Sequence, residues 1–339
     1  DESKYYAWYE VAKAFAKVGY IPVCLHVNAK YVGAAQNRPR FILIAIRDDV
    51  FSNIINNSED KILLDAFEPS KRLFEEIKTS REPEYGTLPF FDASKNHPLF
   101  SIDIFSPLVS HDQSRFVTVK DAIDDLRDSN LEHSQYVTSI NGAFDNPYDH
   151  SPNKNYNHEK RTNSPKVRAR FRLYQVLTKL KKEESSEITK YLKSSGASGI
   201  SSPVLTSLRS HWLLNLEGEK TFFDDELLLL ALLSALFTKK QTQRALIANA
   251  PAPAALSIPD DACHYHEAED TQRTLTVREM ARIQSFPDWY KIKSKVTTGG
   301  QMRKFEVPQY TQIGNAVPPL LALALGKVCS KLLDISEKK

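Results

Sequence analysis

Apolar residues first recur at helical spacing. Ala7, Val11, Ala14, Phe15 and Val18 fall three or four positions apart across residues 5–18, and Gly19 follows as a residue suited to end a helix. The period then changes. Ile21, Val23, Leu25 and Val27 alternate within residues 20–29, which predicts a strand, and Pro22 suits its beginning or a sheet edge because it has no N–H for the ladder. After a loop containing Gly33, residues 41–46 (FILIAI) are continuously apolar, the pattern of a strand buried on both faces. Helix, strand, loop and strand make the tail of an α/β layer. Two strands alone are marginal, so the pattern implies neighbours supplied from elsewhere.

From residue 48 to 270 the pattern loosens. Helices are predicted over 167–180 and 224–237, and loops over 138–163, dense in Asn, Asp, Ser and Pro, and over the Ser- and Gly-rich 194–202. A turn-rich stretch at 248–259 marks a boundary. Regularity returns at Thr274: Thr276 and Glu279 form a capping box, and the helix they start runs through Gln284 and stops before Pro287. Pro318 and Pro319 start a last apolar helix over 319–333. The apolar run 227–237, read as the longest, is too short to span a bilayer and reads as a buried helix. No internal repeat is evident.

Composition changes this picture little. Hydrophobic residues make up 41% of the 339 and charged residues 26%, the balance of a globular protein with room for one large or two ordinary domains. The chain opens on Asp1 rather than Met, with no charged-then-apolar leader, which reads as a processed, trimmed or partial chain without a signal peptide. Cys24, Cys263 and Cys329 lie far apart and outline no disulfide framework, so a reducing cytoplasm is expected. Net charge is only +3, but its distribution is uneven. Lys160, Arg161, Lys166, Arg168, Arg170, Arg172, Lys179, Lys181 and Lys182 follow one another with no acidic residue between, a block that attracts polyanions and makes binding salt-dependent. A solvated helix face is the plainer reading of such a block.

Three stretches carry candidate chemistry. Gln36, Arg38 and Arg40 lead into the apolar strand; two arginines two apart in extended chain point the same way, with fixed donors suited to a phosphate or carbonyl oxygen. Residues 273–288 place Arg278 and Arg282 one turn apart on the capped helix, the pattern of an amphipathic brace. Residues 310–319 put Gly314 and Asn315 just before a helix start, where a polar small molecule is readily held. Cys263, His264 and His266 crowd together but lack four spaced ligands, so no metal is expected. Trp289 and Tyr310 read as packing residues, and Asp260 and Asp261 as the end of a turn.

In order and style these stretches resemble the last three signature blocks, VIII, IX and X, of the C5-cytosine DNA methyltransferases: Gln36 to Arg40, then RTLTVREMARIQSFPDWY, then YTQIGNAVPPLLALALG. The lead-in YIPVCLHVNAKYVGAAQ, the run ALSIPDDACHY and the joining TTGGQMRKFEVPQYTQ are similar too, and HEKRTNSPKVRARFRLYQ adds a weaker match. The clear resemblance covers about the first fifty and last eighty residues. It implies an α/β fold: a partial class-I (Rossmann-like) methyltransferase layer with an inserted α+β target-recognition domain. The expected division is 1–50 as part of the catalytic sheet, 51–270 as the recognition domain and 271–339 as blocks IX and X returning to the catalytic domain.

The resemblance also implies residue roles. Arg40 would reach the carbonyl of a flipped cytosine, and Arg38 the backbone phosphates. Asn315, Ala316 and Val317 would lie beside the methionine part of S-adenosylmethionine; Ala316 stands where many relatives have serine, so a hydroxyl contact is lost. Arg278, Glu279 and Arg282 would position the recognition domain, while Gln36, Lys166, Arg168, Arg170 and Arg172 would meet DNA. The family's Phe-x-Gly-x-Gly loop, Pro-Cys loop and Glu-Asn-Val strand are absent from this sequence, and none of its three cysteines stands in. The chain is therefore expected to be the recognition half of a bacterial restriction-modification methyltransferase, inactive alone and needing double-stranded DNA and a catalytic half as partners. A non-catalytic DNA-binding protein of methyltransferase descent is the alternative.

Overall fold

The computed structural model describes residues 6–81, 83–127, 131–147, 153, 155–194, 199–240, 242–254, 261–268, 271–297 and 305–338. In chain order its elements begin α1 (Ala7–Lys17), β1 (Tyr20–Asn28), β2 (Gln36–Asn37), β3 (Pro39–Arg47), α2 (Asp48–Asn57), α3 (Lys61–Lys78) and β4 (Phe90–Asp92). Then come α4 (Val119–Ile123), α5 (Gln135–Gly142), α6 (Pro165–Leu177), α7 (Lys182–Lys193), α8 (Ser202–Arg209), β5 (Leu213–Leu214), β6 (Lys220–Thr221) and α9 (Glu226–Ala235). The chain ends with β7 (Arg244–Ala245), β8 (Ala252–Pro253), β9 (Ala262–Cys263), α10 (Val277–Ile283), α11 (Gln309–Asn315) and α12 (Pro319–Ser336). They form two compact units: Asp1–Phe116 with Val317–Lys339, and Val117–Ala316. Contacts thus break at 116/117 and 316/317 rather than at the expected 50/51 and 270/271, because α2 and α3 pack against the sheet and α12 joins the same core.

The first unit is built on a three-stranded sheet of order β3-β1-β4, with β1 antiparallel to β3 and parallel to β4. Alternation on β1 divides its side chains between two cores. Val23, Leu25 and Val27 join Ile46, Phe51, Phe67 and α12, while Cys24 faces Tyr9, Ala12 and Leu73. One expectation is corrected here. The strand buried on both faces is β1; the FILIAI run of β3 lies at the sheet edge, half-buried, with Phe41 exposed. Pro22, expected at an edge or at the strand's beginning, lies near the beginning of the central strand. It is tolerated because β4 pairs only with Cys24, Leu25 and His26, so Pro22 has a neighbour on one side alone.

Helix α1 forms where expected and ends at Val18, with Gly19 at φ 92°. Tyr9, Ala12 and Ala16 are buried, whereas the stripe Ala7, Val11, Ala14, Phe15 and Val18 faces outward. Small side chains let the helix lie close to the sheet, leaving its larger apolar residues on the far side. Helix α12 buries Leu321, Ala324, Val328 and Leu332 in the main core. Residues 309–336 surpass 227–237 as the longest apolar stretch and have the length and composition of a membrane span. They are two helices interrupted before Pro319, and the second is docked by that buried stripe.

The second unit is mainly helical, more so than the α+β expectation. Its larger core gathers α6, α7, α8 and α9 through Phe171, Val176, Ile188, Leu205, Leu208, Leu229 and Leu233. Its strand pairs, β5 with β6 and β7 with β9, are two residues each. Of the run expected to be buried at 227–237, Leu227 and Leu228 are exposed. Residues 138–142, expected in a loop, belong to α5, which Ser134 caps by accepting from the Val137 N–H and which buries Tyr136, Val137 and Ile140. Parts of the expected loops at 138–163, 194–202 and 248–259, and Asp260, lie outside the described residues.

Candidate functional site

In the first unit the approach to β3 is fixed by Asn28. Its Oδ1 accepts from the Arg38 and Lys30 N–H groups (2.9 and 3.2 Å) and its Nδ2 donates to Asn37 Oδ1 (2.7 Å), closing the loop between β1 and β3. Gly33, at φ 88°, is the left-handed residue of that loop. Arg38 is buried and Arg40 half-buried. Burial and then the charge of Arg40 push the Arg38 guanidinium down to about 10. The Arg38 guanidinium still carries positive charge at pH 7. Gln36, expected to meet DNA, is fully buried.

In the second unit α10 begins with the expected capping box: Thr276 accepts from the Glu279 N–H (3.2 Å), and Glu279 accepts from the Thr276 N–H (2.7 Å). Every residue of the helix is buried, including its three charged ones. Each of those is met by designed-fit partners. Arg273 grips Glu279 with two bonds (2.9 and 2.7 Å). Arg278 donates to the carbonyls of Tyr156, Pro287 and Tyr290. Arg282 forks onto Asp288 (2.8 and 2.7 Å) and also reaches Asp125 (2.5 Å). A buried arginine is tolerable only when paired and hydrogen-bonded in this way.

Burial alone would raise the Glu279 carboxyl; the charge and hydrogen bonds of Arg273, with His264 and His158, outweigh it and hold it at about 2. The His264 imidazole is pushed down by burial to about 4 and is neutral at pH 7, so Arg273 is the effective counter-charge. Because the folded value lies below the ordinary 4.5, the stabilisation from Glu279 is present above pH 4.5 and is lost as pH falls towards 2. Glu279→Gln is therefore expected to flatten the stability-versus-pH curve in that window, measured by urea unfolding at pH 5 and pH 3.

Segment 156–163 crosses these residues as a strap that the sequence reading registered only as a weak match. Tyr156 and Asn157 carbonyls accept from the Arg278 Nε and N–H. His158 bridges Thr276 Oγ1 and the Leu126 carbonyl, both at 2.9 Å, and Asn163 bonds the Thr274 N–H and hydroxyl. Helix α11 is tied to the same body. Tyr310 donates to the Leu275 carbonyl (2.6 Å), and Gln284 Nε2 to the Ile313 carbonyl (2.8 Å). The helix ends at Asn315, which is exposed, after the buried Gly314; Ala316 is half-buried.

A family model, C-5 cytosine-specific DNA methylase, matches residues 1–331. The chain belongs to that family. Among curated methylases, Type II methyltransferase M.AquIB of Picosynechococcus sp. is 41% identical over 100 residues, 29% of this chain and 70% of that one, which makes M.AquIB about 140 residues long (100/0.70). M.AplI of Arthrospira platensis is 48% identical over 63 residues, 19% of this chain and 15% of that one. M.DdeI of Desulfomicrobium norvegicum is 56% identical over 55 residues, 16% and 13%. The chain thus aligns with most of the first relative but with about a seventh of the longer ones.

In the basic block, two of the residues expected to meet DNA bond within the chain. Residues 165–177 are helical, so the arginines are spread around the axis. Arg170 is half-buried and donates to the Leu236 and Phe237 carbonyls (2.9 and 3.1 Å). Arg172 is buried, stacks 3.6 Å from the Trp212 ring centroid, donates to the Trp212 carbonyl and pairs with Glu267. Both brace the helical core. Lys166 remains exposed and Arg168 half-exposed. Lys166→Ala is expected to reduce the slope of log affinity for duplex DNA against log salt by about 1, measured by fluorescence anisotropy; Arg172→Ala is expected to act on stability instead.

Neither buried cysteine is set up as a nucleophile. Cys24 and Cys263 are buried; burial pushes the Cys24 thiol up to about 12 and the Cys263 thiol higher still. Neither is a thiolate at neutral pH. Cys329 is exposed on α12. Trp289 and Tyr310 are buried packing residues as expected, and Asp261 is buried.

Proposed function

We propose that this chain is the DNA-recognition half of a DNA (cytosine-5-)-methyltransferase, acting when a polypeptide bearing the Pro-Cys loop and the acidic strand completes it. Cytosine carbon 5 is too weak a nucleophile to take a methyl group unaided. Addition of a thiolate to carbon 6 makes it reactive; after methyl transfer, loss of the carbon-5 proton and expulsion of the thiolate restore the ring. S-adenosylmethionine supplies the electrophilic methyl. The base is reached by flipping it from the duplex. Arg40 holds the carbonyl oxygen of that base with a fixed, charged donor, and Arg38 supports the phosphate beside it. Asn315 offers an amide, exposed and without a hydrogen-bond partner among the described residues, to the methionine end of the cofactor, next to Ala316 and Val317. Lys166 and Arg168 attract the backbone, and the Arg278, Glu279 and Arg282 network holds the recognition unit rigid.

The observation that carries this reading is the Arg38–Arg40 pair: one buried and one half-buried guanidinium, two positions apart at a strand entrance, in a sequence with neither a Pro-Cys loop nor a Glu-Asn-Val strand for them to serve. A DNA binder alone has no use for a buried, partly desolvated arginine there. Two surfaces support the need for a partner. Among the described residues the outer edge of β3 pairs with no strand, and the α1 stripe is an apolar face turned outward. The brevity of M.AquIB agrees with a family member made in more than one piece.

The test is transfer of labelled methyl groups to duplex DNA by this chain, by a family polypeptide carrying the Pro-Cys loop, and by both. Label in the mixture only is expected. Label from this chain alone would refute the divided enzyme, and salt-sensitive DNA binding with a stable complex but no label would favour the non-catalytic alternative.

A further inference from the structure

We infer that Asn157 is a positioning residue for the cofactor-side turn: it fixes the start of α11, and thereby the location of Asn315 at its end. The inference rests on the proposed role of Asn315. Helix α11 has seven residues, too few to be stable by itself, so its tertiary ties decide where it lies. Asn157 supplies the most elaborate of them from a buried site. Its Nδ2 donates to the Gln309 Oε1 (3.1 Å) at the first residue of α11 and to the Ile292 carbonyl (2.8 Å), and its Oδ1 accepts from the Ile292 N–H (2.9 Å). Gln309 in turn donates through Nε2 to the Ser294 carbonyl (2.8 Å), and its N–H bonds the Lys295 carbonyl.

The backbone argues the same way. Asn157 has φ 61°, a left-handed conformation that asparagine and glycine adopt more readily than other residues. In that conformation its carbonyl receives the Arg278 N–H (2.9 Å) while its side chain reaches in the other direction. One residue thus links the block IX helix, the 290–295 segment and α11. An aspartate would keep the acceptor but lose both donors and set a carboxylate against two oxygens. A glycine would keep the backbone and lose all three side-chain bonds.

The experiment compares Asn157→Gly with Asn163→Ala, which cuts the strap's bonds to Thr274 without touching α11. Hydrogen exchange of the amides at 309–316 is read first, in the intact chain. Asn157→Gly is expected to speed it about tenfold relative to the α10 amides, and Asn163→Ala to leave that ratio unchanged. Gln309→Met, which removes the partner atom but not Asn157, is expected to reproduce the selective effect and serves if Asn157→Gly does not fold. In the completed enzyme, Asn157→Gly is then expected to weaken S-adenosylmethionine binding several-fold, with Asn163→Ala near wild type. Equal effects of Asn157→Gly and Asn163→Ala on exchange would make Asn157 a merely structural residue and overturn the inference. Selective loosening of 309–316 with unchanged cofactor affinity would overturn its link to the cofactor. A wild-type complex that binds no S-adenosylmethionine would instead overturn the proposed function on which that link rests.

Discussion

Arg282→Met is expected to destabilise the Val117–Ala316 unit by about 3–5 kcal/mol, the cost of leaving a buried charge without its partner. Arg282 is fully buried between two carboxylates, Asp288 and Asp125, and Asp288 is held ionised against burial by Arg282 first and Arg278 second. Removing the guanidinium leaves Asp288 with only Arg278 and Asn141 to hold its charge. The measurement is urea unfolding at pH 7, followed by the fluorescence of Trp289 and Trp212. Lowering the pH towards 4 should recover part of the loss, because protonating Asp288 removes a buried charge that has lost its main partner. A change below about 1 kcal/mol, the size of an exposed pair, would mean that the network is not the brace described here.

Arg40→Ala is expected to have the opposite profile. Its one hydrogen bond among the described residues goes to the carbonyl of neighbouring Pro39, so stability should change by no more than about 0.5 kcal/mol. In the completed enzyme, loss of a charged donor at the reacting base should lower kcat about 100- to 1000-fold, as removal of a preorganised donor does elsewhere. Arg40→Lys keeps the charge but not the fork, and should recover only a small part. Equal rates for wild type and Arg40→Ala would remove Arg40 from the reaction.

Local signals in this chain were legible because their physics is local. The Thr276–Glu279 box, the Gly19 stop and the alternation of β1 each arise within a few residues, and each is observed. Orientation was less legible. The spacing of the α1 stripe gives the helix but not its buried face, which is Tyr9, Ala12 and Ala16, since what a face packs against is set by distant chain. The same limit explains Arg170 and Arg172. Alternating cations suggest a surface, but Trp212, Glu267 and the carbonyls of Leu236 and Phe237, all far along the sequence, draw them inward. Asn157 escaped notice altogether: its partners lie at 278, 292 and 309, and a single asparagine in a polar stretch carries no sign of a left-handed, three-bonded site.

The central claim is that this chain contributes recognition and positioning while its partner contributes the nucleophile. Duplex DNA bearing 5-fluorocytosine at the target tests it most directly, because fluorine at carbon 5 cannot leave as a proton does and the thiolate adduct is trapped. With both polypeptides and S-adenosylmethionine present, peptide mapping is predicted to find the DNA bonded to the Pro-Cys cysteine of the partner. An adduct on Cys24, Cys263 or Cys329 would contradict the account.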